Sequence, residues 1–168
     1  RACRYNGTSS YHNRVATSDG NSTKFTYSAW VKLSDLTSTG TIFHGFDGND
    51  TDDGLFQMMW TGSANNHLAI SGYNVEYLIT KRFFRDCSSW YHLVLAIDTW
   101  NATPDNRIRL YINGVEETEF SLRNNPTQGQ DLPFNKTVGN GDDLTITNSS
   151  HGGISIKTGT TSDGVIRF

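Results

Sequence analysis

The chain has 168 residues, 12% of them aromatic and 18% charged, with 16 Gly, three Pro and a formal net charge of -3 at a sequence pI near 5.9. That length suits one main domain whose core forms without help from disulfides, and the charge balance excludes the basic field that backbone-driven nucleic-acid binding requires. No apolar run approaches the roughly 20 residues that cross a bilayer, so neither nucleic acid nor membrane insertion is expected.

The many Gly and few Pro suit short strands joined by tight turns. The first clear strand covers residues 25–33, where Phe25, Tyr27, Ala29, Val31 and Leu33 alternate with Thr26, Ser28, Trp30 and Lys32; one face is core and the other half wet. Residues 41–46 and 55–60 are two further short strands, separated by the turn-rich run 47–54, whose Asp, Asn and Gly residues close turns with their own side chains or adopt positive φ. Residues 67–71 and 75–80 form a hairpin, with Gly72 and Asn74 supplying its turn. Residues 90–97 are apolar on both alternating faces, Leu93, Leu95 and Ile97 on one and His92, Val94 and Ala96 on the other, which predicts a central strand covered on both sides. Residues 107–112 alternate cleanly, with Ile108, Leu110 and Ile112 inward, and Asn113-Gly114 follows. That dipeptide is the strongest short-range signal for a type I′ hairpin, returning the chain through residues 115–120. Beyond it lie a polar connection over 124–130 and weaker strands at 144–147, 154–157 and 165–168. No stretch holds a 3.6-residue period, so a sandwich or barrel is the consistent architecture.

Chemistry-bearing groups are sparse. Glycoside hydrolysis needs two carboxyl groups roughly 5–10 Å apart across a cleft, and the cluster Glu116, Glu117 and Glu119 sits after a hairpin turn as a solvated edge of the kind that discourages edge-to-edge pairing. No Gly-x-Ser-x-Gly elbow, phosphate loop or zinc spacing is present, and no catalytic residue is assigned. The acidic run Asp47, Asn49, Asp50, Asp52 and Asp53 is a candidate Ca²⁺ loop, since hard cations take clustered oxygen ligands, although Met58 stands where a closing Glu belongs; a solvated turn is the alternative. For carbohydrate, stacking aromatics beside Asn are the useful groups. Trp60, Tyr73 and Trp100 border loops holding Asn65, Asn66, Asn74 and Asn101 and form the candidate glycan set, with plain packing as the competing reading. Trp30 and Trp90 are expected to pack. The sequons at Asn6, Asn21, Asn49, Asn101, Asn135 and Asn148 mark either glycosylated positions or simply Asn-rich loops. Cys3 and Cys87 are open to two readings, buried free thiols or one disulfide. The start at Arg1 rather than Met leads us to expect a processed product or an excised piece.

The segments RYNGTSSYHNR, FTYSAWVK, FRDCSSWYHLVLAID and NRIRLYINGVEETEF, in that order, resemble the laminin G-like, concanavalin A-like lectin/glucanase jelly roll, and more narrowly the version found in virion proteins of tailed bacteriophages. The resemblance covers about residues 4–140. It implies an all-β fold, an antiparallel jelly-roll β-sandwich over residues 1–140, with residues 141–168 as a C-terminal β tail that either closes the sandwich or begins a fibre-like region. Ligands in this fold are usually taken at a loop rim or on the concave face. The glucanases that share it carry Glu-x-Asp-x-Glu along one strand, and that pattern is missing here.

What the resemblance implies for function is a non-enzymatic module on the virion surface, a fibre or decoration domain attaching to host-surface polysaccharide and contacting other virion proteins. A purely structural capsid decoration or cement protein and a secreted laminin G-like adhesion module are the alternatives. A fibre-like tail would make the assembly a homotrimer, because such β regions bury their apolar faces only against sister chains. Cys87 stands where the phage versions tend to carry Pro and Cys3 where an apolar residue is usual, so a Cys3 to Cys87 bridge is a hypothesis attached to this resemblance.

Overall fold

The computed structural model describes residues 20–46, 55–62 and 66–132. The strands are β1 (Lys24–Val31), β2 (Gly40–Phe46), β3 (Leu55–Thr61), β4 (His67–Gly72), β5 (Val75–Thr80), β6 (Tyr91–Asp98), β7 (Ile108–Ile112), β8 (Val115–Glu116) and β9 (Phe120–Arg123), with a short 3-10 turn at Pro104–Asn106 before β7. They form two antiparallel sheets, ordered β1-β6-β7-β8 and β2-β3-β4-β5-β9. The expected all-β sandwich is the fold. Its predicted C-terminal tail, residues 141–168, lies outside the described residues.

Alternation places the core. On β1, β6 and β7 the register aligns Ala29 with Leu93 and Ile112, Tyr27 with Leu95 and Leu110, and Phe25 with Ile97 and Ile108. The β6 and β7 members of these rows are all buried. They meet Phe43, Phe56, Met58, Trp60, Leu68, Ile70 and Leu78 from the other sheet. Each fully buried Leu, Ile or Phe contributes about 1.5–3 kcal/mol of hydrophobic stabilisation. The outer face of β6 differs from expectation. His92, Val94 and Ala96 are half-buried, screened by the neighbouring strands' side chains and not sealed under a second layer among the described residues.

The two sheets share their ends. Phe25, early in β1, meets Phe56, early in β3, edge-on at 5.9 Å, while Trp60, late in β3, meets Tyr91 at the start of β6 at 6.0 Å. The turn after β4, the loop after β6 and the start of β7 therefore open at the Phe25 end. Asn113-Gly114 opens at the opposite, Tyr91 end, with φ of 53° and 81°, the two positive values that a type I′ turn demands.

One expected strand is split. The chain leaving Asn113-Gly114 pairs with β7 for only Val115–Glu116, then crosses at Glu117, Thr118 and Glu119 to become β9 in the other sheet. The solvated Glu cluster expected there is also corrected. Glu117 is buried and forms an ion pair with Arg82 at 2.9 Å, and Glu119 pairs with Lys81 at 3.1 Å. Arg82 and Lys81 begin the opposite crossing, residues 81–90, and Lys81 also donates its backbone N–H to the Glu119 carbonyl at 2.9 Å. The two crossings are thus stapled to each other. In the same link, Asp86 accepts from the Ser88 backbone N–H at 2.7 Å and from the Ser88 and Ser89 hydroxyls. Those hydrogen bonds, the Ser88 hydroxyl's first, hold its carboxyl below the usual 3.8, at about 2.

Two outcomes are expected from these contacts. Arg82→Ala strands a buried carboxylate and should lower unfolding free energy by about 2–3 kcal/mol, whereas Lys81→Ala at an exposed pair should cost under about 1, both read by urea denaturation. Because the folded Asp86 carboxyl titrates lower than in the unfolded chain, its stabilisation is present above pH 3.8 and lost as pH falls through about 2. Asp86→Ala should therefore lower the melting temperature at neutral pH, and that deficit should shrink as the acid limit is approached.

Candidate functional site

β6 ends at Asp98, and the chain turns through Thr99 and Trp100, with the Asn101 N–H closing the turn on the Asp98 carbonyl at 3.0 Å. Thr99 is fully buried and anchors the turn, which pushes the next side chain outward: Trp100 is 64% exposed. The ring is nonetheless held. A Cβ built on Gly129 would lie 2.8, 2.9 and 3.1 Å from three adjacent carbons of the six-membered ring, nearly equal distances that put Gly129 against the ring's face. Gly129 also has φ of +76°, a conformation that side chains resist. One face of the indole is closed by backbone and the other is open to solvent.

The segment beneath Trp100 crosses the Phe25 end from one sheet to the other. Asn124 N–H donates to the Tyr77 carbonyl at 2.7 Å, Gly129 N–H to that of Thr99 at 3.0 Å, and Leu132 N–H to that of Ser22 at 3.0 Å. Tyr77 is the extra residue of a β-bulge in β5, since Ile70 pairs with Leu78 but Ser71 with Glu76. Bulges re-aim side chains, and the Tyr77 hydroxyl accepts from Gln130 Nε2 at 3.0 Å. Arg107 joins the two loops: Nε donates to the Asn101 carbonyl and Nη1 to the Pro126 carbonyl, each at 2.9 Å. Asn101 spends its side-chain oxygen on the Thr103 N–H at 3.0 Å. Nearby, Asp105 is held below the usual carboxylate range by the Asn125 amide and then by Arg123.

The β4–β5 turn opens at the same end. Its central residues are Tyr73 and Asn74, with Gly72 closing β4; Asn74 has φ of 52° and Tyr73 is 38% exposed. Of the candidate glycan residues, Tyr73, Asn74, Trp100 and Asn101 are thus brought to one rim.

The rest of that set is not there. Trp60 is a core residue, 2% exposed, set edge-on to Phe84 at 4.4 Å, because β3 turns this position inward. Asn66 is buried at the Tyr91 end with φ of 44°, where its carbonyl receives the Phe84 N–H at 2.8 Å; its job is to fasten the 81–90 link. Asn65 lies outside the described residues, as do Asp47, Asn49, Asp50, Asp52 and Asp53 of the calcium loop. Cys87 is half-buried, and Cys3 lies outside the described residues. The expectation that Trp30 and Trp90 pack is corrected: they are 64% and 46% exposed. Trp30 stands on the outer face of β1 and stacks on its cross-strand partner His92 at 4.8 Å and 18°, with the Ser28 hydroxyl 3.0 Å from His92 Nε2. The alternation of β1 carried this signal, since Trp30 falls on the wet face. Gly129, Arg107 and Gln128, which donates to the Trp100 carbonyl at 3.2 Å, were missed. Nothing local marks Gln128 and Gly129 as neighbours of Trp100.

Two facing antiparallel sheets with an aromatic loop rim define a lectin-type β-sandwich. A family model of the laminin G type, described as the concanavalin A-like lectin/glucanases superfamily, matches residues 6–159, and the chain belongs to that family. Among curated proteins none matches the chain.

The two candidate tryptophans should separate on stability alone. Trp60→Ala is expected to cost about 3–5 kcal/mol as a core truncation, whereas Trp100→Ala, at an exposed position, should cost under about 1; chemical denaturation followed by circular dichroism measures both.

Proposed function

We propose that the protein is a non-catalytic carbohydrate-binding module that takes a sugar ring on the Trp100 rim and acts on the surface of a phage particle. The observation that carries this reading is the Trp100 indole, which rests on Gly129 on one face while the residue as a whole stays 64% exposed. An aromatic face fixed in this way is suited to stacking against the C–H face of a pyranose, and the hydroxyl and amides of Tyr73, Asn74 and Gln128 supply hydrogen-bonding groups at the same end. The non-catalytic part is supported by the fate of the glutamate cluster: Glu117 and Glu119 are spent in ion pairs at the crossing between sheets, and the alternating acid strand of the glucanases is missing. The particle setting rests on the phage-like wording of the motifs. Many copies on one particle would convert modest sugar affinity into firm attachment, and a trimer held by the C-terminal tail fits that role, with Ca²⁺ on the 47–53 run as a stabiliser.

A glycan array probed with the whole chain should give reproducible hits that Trp100→Ala abolishes and Tyr73→Ala weakens. A silent array, or hits untouched by Trp100→Ala, counts against the reading and favours a structural decoration role. Mass measurement in solution should give three copies, and millimolar Ca²⁺ should raise the melting temperature; a clean monomer or an unmoved transition removes the corresponding part.

A further inference from the structure

We infer that Arg107 and Gly129 are positioning residues for the Trp100 platform, holding the indole in its binding orientation before any sugar arrives. The inference rests on the glycan reading of Trp100. An indole on a surface turn is free to change rotamer, and ordering such a side chain on binding costs free energy that a pre-fixed ring does not lose. Here both surfaces that define its place are fastened in advance. The turn carrying Trp100 is tied by Arg107 Nε to the Asn101 carbonyl, and the strip beneath the ring by Arg107 Nη1 to the Pro126 carbonyl. The two are further laced by Gly129 N–H to Thr99 and Gln128 Nε2 to Trp100.

A guanidinium suits this task because its planar fork reaches two acceptors in fixed directions, whereas a lysine ammonium is a single point charge on a flexible stem. Gly129 suits it because any side chain would sit within 3.1 Å of the ring. Since Gly129 closes one face, a sugar can stack on one side only, and a displaced ring loses that site altogether.

The experiment uses the full chain and cellohexaose, a neutral oligosaccharide whose rings offer C–H faces. In ¹H NMR the Gly129 Hα of the wild type should be shifted upfield by the indole ring current, and Trp100→Ala should remove the shift. Arg107→Lys should collapse most of it and weaken cellohexaose binding roughly three- to tenfold. The Hα shift is the readout that a merely structural role for Arg107 would leave unmoved, whatever the change in stability. Gly129→Ala, which leaves Arg107 in place, should weaken binding by a similar factor and serves if Arg107→Lys does not fold. An Arg107→Lys protein with the wild-type Hα shift and wild-type affinity overturns the inference. If cellohexaose binds no variant, the glycan reading fails for this sugar, and the Hα shift alone decides whether Arg107 positions the ring.

Discussion

Three cross-strand rows hold this sandwich together: Ala29, Leu93 and Ile112; Tyr27, Leu95 and Leu110; Phe25, Ile97 and Ile108. Each row spans β1, β6 and β7 and points inward at the aromatic layer of the opposite sheet. Because side chains alternate with a period of two, a slip of one residue on any of the three strands would send its apolar set into solvent. That single constraint fixes the register of the sheet. It also fixes which residues are left on the outer face, Trp30 and His92 among them, and where the loops emerge.

The two ends of the sandwich are used differently. At the Tyr91 end the chain crosses between sheets three times, at residues 32–39, 81–90 and 117–119, and the last two crossings are bound to each other by Lys81 with Glu119 and Arg82 with Glu117. That end is committed to structure. At the Phe25 end one segment, residues 124–132, runs from β5 to the entry of β1 and forms a floor on which Trp100 rests. The bulge at Tyr77 and the fork of Arg107 hold this floor against both sheets. A fixed floor under an exposed aromatic means that the cost of ordering that side chain has been met by folding.

The same geometry explains why the candidate residues divided as they did. Trp60 and Trp100 look alike in sequence, each a Trp near a polar loop, yet one is at the inward-facing end of β3 and the other follows the buried Thr99 in a turn. Glu117 looked like one of three solvated acids, but the chain changes sheets at that point and carries it under Arg82. In each case the deciding fact is which way a strand faces when it ends, and that depends on a partner far away in the chain.

Most of the strands, their inward faces and the Asn113-Gly114 turn were legible in the sequence because they depend on local alternation or on the φ preferences of single residues, and the order of the motifs carried the family resemblance. The sequence also placed Trp100, Tyr73 and Asn74 on loops. Closure of the two sheets then settled that these loops share one end, that Trp60 and Asn66 do not join them, that the strand after Gly114 breaks to serve both sheets, and that Gly129 lies against Trp100 while Arg107 ties the Trp100 turn to the strip beneath it. Those facts are contacts between residues distant in the chain, and they exist only once the two sheets have closed on a common core.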